Sequence, residues 1–291
     1  MTSLSLPANL VERARTQRDP RLRAWIDTLP DLVAGLSQRW DLEVGMPYQP
    51  GGESAWVAPA RDGAGDELVL KVGWRHPESE HEAEGLRAWS GRGAVLVRMT
   101  HREGDTSALL MERCDPGTAL GRTEPESRQD EIVADLLRRL WQSPVDGHPF
   151  RPLQQMCDQW ADQYEAGTDP RLDPGLAREG IALFRSLPAS ADRDVLLVTD
   201  LHAGNVLAAR REPWLVIDPK PYVGDPAYDP LQHMLNCPER LAADPAALSD
   251  RMADLCGVER DRVRRWLFAR CVVESSWRDD LRGVAARLAP R

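Results

Sequence analysis

The sequence contains no apolar run that approaches the roughly 18 residues from which a membrane-spanning helix is built. Its first residues, MTSLSLPANLVERARTQ, also lack the basic start and the apolar core of a secretory signal peptide. Both absences argue against membrane insertion and export. We therefore expect a protein of the cytoplasm that has no membrane partner.

Paired cysteines are also missing from the chain. The five cysteines are scattered and form no C-x-x-C pair; they stand at positions 114, 157, 237, 256 and 271. A disulfide framework normally needs an even set of cysteines, and a structural zinc site needs closely spaced ligands. The pattern therefore predicts reduced thiols, as in the cytoplasm, and argues against a zinc site.

An excess of positive charge is the third absence, because the formal net charge is −9. Proteins that bind nucleic acids usually carry basic patches, so this balance disfavours a nucleic-acid partner. Negative charge would help to attract a cationic small molecule. With 291 residues, of which 42% are apolar, the chain is long enough for two lobes with cores of their own. Nothing in the sequence points to a particular oligomeric state.

The first part of the chain combines a helical segment with strand-like runs. Apolar residues spaced by three and four predict a helical cap over residues 7–40, with breaks near Pro20 and Pro30. Five short β-like runs follow, at residues 42–48, 54–60, 67–74, 94–99 and 107–113. The turn RDGAGD after the second run predicts a hairpin.

Beyond residue 125 the apolar spacing becomes helical. The predicted helices lie at residues 132–141, 150–167, 174–187, 231–237, 246–256 and 260–288, with an Asp-Pro-rich connector at 168–174. Strands in the first part and helices in the second predict an α+β fold and not alternating βαβ units. We place the helical cap and a β-rich lobe in residues 1–112, and a helical lobe in residues 113–291.

The most informative stretch covers residues 195–229. Asp200, His202 and Asn205 lie within six residues between two short apolar runs, and a further apolar run ends at Asp218. This pattern predicts strand ends joined by tight loops, which are rigid places for functional side chains. Asp200, Asn205 and Asp218 all carry hard oxygen donors that suit Mg²⁺, and one of the two carboxylates remains to hold an attacking hydroxyl.

The motif D-x-H-x-x-N, followed by an apolar run and I-D, resembles the catalytic segment of protein-kinase-like phosphotransferases that act on antibiotics and other small molecules. The segments IDPKP and GDPAYD make the chain most similar to the aminoglycoside and hydroxyurea branch, which includes the streptomycin kinases. The resemblance covers roughly residues 45–285. It implies a two-lobed protein-kinase-like fold with an N-terminal antiparallel sheet and a mainly helical C-terminal lobe. It also implies transfer of the γ-phosphate of ATP, with Mg²⁺, to a hydroxyl of a small molecule.

The resemblance assigns roles to individual residues and has one departure. Asp200 would take or orient the proton of the acceptor hydroxyl, while Asn205 and Asp218 would bind Mg²⁺. Val198 and Thr199 stand where members of the family usually have His-Gly directly before the catalytic Asp. Because that His braces the loop and does not react, the departure concerns the rigidity of the loop more than its chemistry.

Lys71 lies within an apolar run and needs a partner, because burying an unpaired ammonium group is costly. The resemblance matches HEAEGLRAW to the helix whose Glu pairs with this Lys, which points to Glu82, with Glu80 and Glu84 as alternatives. Lys71, oriented by Glu82, would hold the α- and β-phosphates of ATP. The other interpretation of Lys71 is a solvent-facing residue on an edge strand.

Two further segments are candidates for nucleotide binding. The paired glycines of PGGES at residues 50–54 would let main-chain N–H groups approach phosphate, and this interpretation involves Gly52 and Ser54. A simple hairpin turn explains the same glycines equally well. By its position alone, Glu112 to Cys114 matches the segment that joins the lobes and binds adenine through main-chain groups.

The acceptor site has weaker signals. In similar proteins the helices of the second lobe line it, and they carry carboxylates when the acceptor is cationic. Glu274 falls inside the apolar arc of the predicted 260–288 helix and either faces a substrate pocket or pairs with Arg270, four residues earlier. Lys220 either contacts phosphate or lies in solvent.

The sequence as a whole predicts an ATP-dependent phosphotransferase for a small-molecule hydroxyl, with a streptomycin-like aminoglycoside as the preferred acceptor. His202 is interpreted as a structural hydrogen-bonding residue, and Asp225 and Asp229 as braces or helix caps. One alternative is a kinase of hydroxyurea or another hydroxylated metabolite. Another is a nucleotide-binding protein without transferase activity, which the missing His-Gly pair would explain.

Overall fold

The structure is a computed structural model, which describes residues 4–16, 19–167 and 171–290. The chain divides into two compact units, Met1–Gly117 and Thr118–Arg291. The division falls a few residues after the boundary that the sequence predicts at residue 112. Residues 168–170 of the predicted connector lie outside the described residues.

An antiparallel sheet is the framework of the first unit. In the described part of this unit its strands are β1 (Leu42–Val44), β2 (Ala55–Asp62), β3 (Glu67–Trp74), β4 (Val97–Glu103) and β5 (Thr106–Glu112). Their order across the sheet is β1-β2-β3-β5-β4. β2 and β3 form the predicted hairpin, and alternate residues of β3 are buried, as expected for a strand with one face on a core.

Two N-terminal helices, α1 (Ala8–Thr16) and α2 (Pro20–Trp40), pack on this sheet. The carboxylate of Asp19 caps α2 by accepting a hydrogen bond from the main-chain N–H of Arg21. The buried stripe of α2 consists of Leu22, Trp25, Leu29, Val33, Leu36 and Trp40. This stripe joins Trp56, Leu70 and other strand residues in one core, so the predicted helical cap is present.

The predicted break at Pro30 is wrong, because α2 continues through this residue. A proline inside a helix removes one hydrogen bond and costs about 3 kcal/mol. The buried residues on either side, Leu29 and Val33, reach the same core only if the helical register is kept across Pro30. Burial of that stripe offsets the lost hydrogen bond and outweighs the low helix propensity of proline.

The third helix of this unit, α3 (Glu82–Trp89), follows a short 3₁₀ turn at Pro77–Ser79. Glu82 and Glu84 occupy the first turn of α3, where the positive end of the helix dipole favours acidic side chains.

Helices dominate the second unit. Its described α-helices are α4 (Leu120–Thr123), α5 (Glu126–Leu140), α6 (Leu153–Gly167), α7 (Pro174–Ser186), α8 (Leu231–Leu235), α9 (Pro238–Ala243), α10 (Pro245–Cys256), α11 (Arg260–Glu274) and α12 (Leu281–Leu288). Every residue of α11 from Trp266 to Glu274 is buried, so this helix is surrounded by its neighbours. Gly180 of α7 lets α11 approach closely, since a Cβ atom there would lie 2.5 Å from Val272.

The predicted helix over residues 260–288 is wrong, because α11 ends at Glu274 and α12 begins at Leu281. The hydroxyls of Ser275 and Ser276 donate to the carbonyls of the residues three positions earlier, Val272 and Val273. Serine side chains that bond to the main chain in this way compete with helix continuation. Within the described residues no helix combines the length and apolarity that crossing a lipid bilayer requires.

A buried carboxylate connects four helices of the second unit. Asp130 of α5 is 0% exposed, and it accepts hydrogen bonds from His233 of α8, Arg240 of α9 and Arg251 of α10. Burial alone would raise the pKa of Asp130, but these three partners together lower it. The carboxylate is therefore ionised, and its removal would leave the buried imidazole of His233 without this partner.

Two short antiparallel ribbons carry residues 195–224. β6 (Val195–Leu197) pairs with β9 (Tyr222–Gly224), and β7 (Val206–Ala208) pairs with β8 (Trp214–Val216). The predicted sequence of strand ends and tight loops is confirmed in this region. A strand-rich first unit and a helical second unit also confirm the predicted α+β class.

Candidate active site

The β7–β8 ribbon places Asn205 and Asp218 at the same end. Val206 pairs with Val216, and the N–H of Ile217 donates to the carbonyl of Asn205 at 2.9 Å, one step beyond the ribbon. Asp218 follows directly and has φ +52, a left-handed conformation that is uncommon for a residue with a side chain. The backbone therefore turns at the strand end where the metal-binding carboxylate is predicted.

The loop before β7 fixes the amide group of Asn205. The Nδ2 atom of Asn205 donates to the carbonyl of Asp200 at 3.0 Å, and its main-chain N–H donates to the carbonyl of His202 at 2.9 Å. Since Nδ2 points back into the loop, the Oδ1 atom is the one that a cation would take. Asp200 and Asn205 are thus held together by a contact within the loop itself.

His202 bonds within the same loop. Its Nδ1 atom accepts a hydrogen bond from the N–H of Gly204 at 3.1 Å. Burial lowers the pKa of His202, opposed in part by the carboxylate of Asp200. A neutral imidazole that accepts a main-chain hydrogen bond fits the structural role that the sequence predicts.

The loop is braced although the usual His-Gly pair is absent. The carboxylate of Asp229 accepts hydrogen bonds from the N–H groups of Val198, at 3.1 Å, and Thr199, at 2.7 Å. The hydroxyl of Thr199 donates to the carbonyl of Lys220 at 2.5 Å. Thr199 has φ +53, a region in which a β-branched residue is strained, and these contacts hold it there.

Asp229 is a fully buried carboxylate, 0% exposed, and it also accepts a hydrogen bond from Trp141 Nε1 at 2.8 Å. Burial raises the pKa of Asp229 to about 6, although Trp141 and the two main-chain donors work in the opposite direction. Asp225 caps the short turn at Pro226–Tyr228 and accepts from Arg262 and Trp266. Both residues therefore act as the braces or caps that the sequence predicts.

Lys220 faces Asp200, a contact that the sequence did not predict. The distance from Lys220 Nζ to Asp200 Oδ2 is 3.0 Å. The sequence left two possibilities for Lys220, contact with phosphate or exposure to solvent. The structure adds a third, an ion pair with the residue predicted as the base. The sequence drew attention to Lys220 but not to this pairing, because Lys220 comes twenty residues after Asp200.

The donor set fits a divalent cation that is shared with phosphate. Among the described residues no group of three or more His, Cys, Asp or Glu side chains could hold a metal ion. Asn205 and Asp218 supply two hard oxygen donors at one ribbon end. Mg²⁺ in phosphoryl-transfer sites is usually held by one or two protein oxygens, phosphate oxygens and water. The residues present therefore suit Mg²⁺ on a phosphate substrate and not a metal enclosed by protein.

The predicted ion pair between Lys71 and Glu82 is present in the first unit. Lys71 Nζ lies 2.7 Å from Glu82 Oε1 and 2.8 Å from Glu82 Oε2, and their side chains are 12% and 8% exposed. The alternative Glu80 instead pairs with Arg75 and Arg102. Because β3 lies inside the sheet with Lys71 on it, the interpretation as a residue on an edge strand is wrong.

The glycine-containing segment at residues 50–54 is held by hydrogen bonds from Asn9. The carbonyl of Pro50 accepts from the N–H of Asn9, and the carbonyl of Gly51 accepts from the side chain of Asn9. A Cβ atom on Gly51, which has φ +74, would lie 2.4 Å from Pro7. The need for glycine at position 51 thus comes from the N-terminal segment.

The other residues that are predicted to contact the nucleotide are Gly52, Ser54, Glu112 and Cys114. The carbonyl of Ser54 accepts from the N–H of Trp74 at 2.8 Å, and a Cβ atom on Gly52 would meet only the carbonyl of Ala55, at 3.9 Å. At the end of β5, the N–H and the carboxylate of Glu112 are both engaged with the main chain of Leu96. Cys114 is buried.

Glu274 forms the ion pair with Arg270 that the sequence offered as one alternative. Its carboxylate accepts a hydrogen bond from Arg270 Nε, and both side chains are buried. Burial by itself would lower the pKa of the Arg270 guanidinium, but Glu274 and Tyr228 together raise this pKa. Glu274 thus balances a buried cation, and its contact with the acceptor stays a prediction.

Solved kinases of small molecules share the fold. The choline kinase LicA from Streptococcus pneumoniae matches with a TM-score of 0.61 at 13% identity, over 90% of this chain and 97% of that chain. A likeness at this identity establishes the fold, so the predicted two-lobed protein-kinase-like fold is confirmed. The molecule therefore belongs to the protein-kinase-like class of folds.

The family is also established. The family model "Aminoglycoside/hydroxyurea antibiotic resistance kinase" matches residues 39–281, and the chain belongs to this family. It is 35% identical over 279 residues to the hydroxyurea phosphotransferase of Kitasatospora aureofaciens, spanning 94% of this chain and 80% of that protein. It is 31% identical over 297 residues to the streptomycin 6-kinase of Streptomyces griseus, spanning 99% and 94%. The chain is therefore an enzyme that uses ATP and a small-molecule hydroxyl acceptor.

The raised pKa of Asp229 makes stability depend on pH with a defined sign. The folded pKa of about 6 lies above the ordinary value of 3.8, so the folded state holds a proton that the unfolded state releases. Its contribution to stability is full below about pH 4 and is lost as the pH rises to about 6. The difference in unfolding free energy between wild type and Asp229→Asn should therefore fall by about 3 kcal/mol from about pH 4 to about pH 7.

Urea unfolding at a series of pH values measures this difference. The control is Asp254→Asn, which removes an exposed carboxylate whose pKa is lowered by its hydrogen bond to Arg260. This control should not show the fall. A wild-type-to-Asp229→Asn difference that stays constant across the range would contradict the raised pKa.

Proposed function

We propose that this enzyme transfers the γ-phosphate of ATP to a hydroxyl of a streptomycin-like aminoglycoside. The observation that carries the proposal is the end-to-end match with streptomycin 6-kinase from Streptomyces griseus, which covers 99% of this chain and 94% of that protein. A match over both whole chains includes the acceptor-binding helices as well as the ATP-binding part. The net charge of −9 would favour the approach of a cationic acceptor.

Asp200 is the proposed catalytic residue. Its carboxylate receives or orients the proton of the acceptor hydroxyl, while the acceptor oxygen forms a bond to the γ-phosphorus. The bond from the γ-phosphorus to the β,γ-bridging oxygen breaks, and its electron pair leaves with ADP. A carboxylate is a weak base toward an alcohol, so its contribution comes mainly from position. General-base contributions are typically about 10²- to 10⁴-fold.

Asn205 and Asp218 are the proposed ligands of Mg²⁺. The bound ion would neutralise charge on the β- and γ-phosphates. Asn205 is suited to this role because its Nδ2 atom is engaged with Asp200, which fixes the orientation of Oδ1. Asp218 is suited because the left-handed turn holds its carboxylate at the same ribbon end.

Lys71 is proposed to hold phosphate oxygens of ATP, oriented by Glu82 through the buried ion pair. Gly52, Ser54 and the main chain from Glu112 to Cys114 remain proposed contacts of the nucleotide. All five cysteines are buried and reduced, which suits the reducing cytoplasm that we propose as the site of action.

A second candidate acceptor is hydroxyurea. Hydroxyurea phosphotransferase from Kitasatospora aureofaciens has the higher identity, 35%, although the match covers a smaller share of that protein, 80%. Both candidates use the same chemistry at Asp200 and differ only in the acceptor.

Transfer of radiolabelled γ-phosphate to a panel of acceptors tests the proposal. We expect ATP- and Mg²⁺-dependent labelling of streptomycin at a rate well above hydrolysis of ATP without an acceptor. Labelling of hydroxyurea alone would favour the second candidate. ATP binding with transfer to none of streptomycin, hydroxyurea and choline would overturn the proposed function.

The metal assignment has its own test in Asp218→Asn, which keeps the size of the side chain but removes its charge. The Mg²⁺ concentration for half-maximal activity should rise at least about tenfold, because loss of even an outer partner of a metal site costs roughly 10- to 100-fold. The melting temperature should be unchanged. Asp254→Asn, an exposed carboxylate of the same unit, is the matched control. Identical Mg²⁺ dependence of Asp218→Asn and wild type would contradict the assignment.

A further inference from the structure

Lysine is nearly absent from this chain. Of 37 basic residues, only Lys71 and Lys220 are lysine, which leaves 35 arginines. Apart from the Lys71–Glu82 and Lys220–Asp200 pairs, the acidic residues of the described ion pairs are paired with arginine or histidine. Lysine is a compact point charge, whereas arginine is a planar fork that commonly binds both oxygens of a carboxylate.

The contact of Lys220 engages one oxygen of Asp200. The Nζ atom lies 3.0 Å from Oδ2, and the side chains of Lys220 and Asp200 are 31% and 15% exposed. This contact does not involve Oδ1, the other oxygen of the same carboxylate. An arginine in this place could take both oxygens and block the acceptor.

The main chain of Lys220 is attached to the loop that carries Asp200. Its N–H donates to the carbonyl of Val198 at 2.9 Å, and its carbonyl accepts from the hydroxyl of Thr199 at 2.5 Å. The ammonium is therefore presented from a segment that is fixed to the residues immediately before Asp200. Because the main chain at Lys220 is bonded to the main chain just before Asp200, the position of the ion pair does not depend only on the long side chain of Lys220.

We propose that Lys220 positions Asp200 for phosphoryl transfer. By donating to Oδ2 it leaves Oδ1 for the acceptor hydroxyl, and its charge offsets the repulsion between the carboxylate and the phosphoryl group. The inference rests on the proposed function, in which Asp200 receives the hydroxyl proton. It adds a residue for which the motif D-x-H-x-x-N gives no signal.

The test is a double-mutant cycle between Lys220 and Asp200. Lys220→Met removes the charge but keeps a similar length of side chain, and it should lower kcat by about 10- to 100-fold, since a misplacement of about 1 Å costs up to about 100-fold. The KM for ATP should stay nearly constant. In an Asp200→Asn background the same change should lower kcat by less than about threefold, because the two residues act as one unit. Lys220→Arg should also be impaired, through engagement of both oxygens.

Arg264→Met is the matched control, because Arg264 forms a similarly half-exposed ion pair with Asp250 in the same unit. It should leave kcat unchanged. Equal losses for Lys220→Met in the wild-type and Asp200→Asn backgrounds would overturn the proposal, as would full activity of Lys220→Met or of Lys220→Arg.

A second measurement does not depend on turnover. With only two lysines, acylation followed by peptide mass spectrometry reports on each one separately. Asp200→Asn should raise the acylation rate of Lys220 several-fold and leave Lys71, paired with Glu82, unchanged. No change at Lys220 would show that Asp200 does not govern the reactivity of Lys220 and would overturn the proposal. Failure of the proposed function would give a different result. The wild-type enzyme would transfer phosphate to no acceptor, while Asp200→Asn would still raise the acylation rate of Lys220.

Discussion

The buried carboxylate of Asp229 is the constraint on which the catalytic segment depends. It receives the N–H groups of Val198 and Thr199 and the indole of Trp141, and it is wholly removed from solvent. A β-branched residue in a left-handed conformation costs about 1–3 kcal/mol, and Thr199 adopts one. The Asp229 contacts and the Thr199 hydroxyl together hold this strained turn. The loop thus keeps its geometry where the usual His-Gly pair is missing.

Local features of the fold could be predicted from the sequence. The alternation of residues 67–74 gives β3 with the same bounds, and the hairpin with β2 follows from the turn between them. The features that sequence reasoning missed depend on distant packing. α2 continues through Pro30 because a whole buried stripe needs the helical register. The end of α11 at Glu274 depends on two serines that bond to the main chain, which periodicity does not register.

In the candidate site, too, some features could be predicted from the sequence and others could not. Asp200, Asn205 and Asp218 lie close in sequence and are joined by one loop and one ribbon, so their spacing was informative. The choice of Glu82 needed the resemblance, and the structure adds the ion pair itself. The role of Gly51 could not be predicted, because its neighbour Pro7 is far away in the sequence. The pairing of Glu274 with Arg270 was one of two equal interpretations, and the structure shows this pair.

The central claim is that Asp200 acts on the acceptor and not on the nucleotide. Asp200→Asn keeps the size and a hydrogen-bonding oxygen but removes the charge and the proton acceptor. Calorimetric titration with ATP and Mg²⁺, beside single-turnover transfer to the best acceptor, measures both properties in one variant. We expect ATP affinity to stay within about threefold and transfer to fall at least about 100-fold. Equal transfer rates in the variant and the wild type would contradict the account, and loss of ATP binding would place Asp200 on the metal instead.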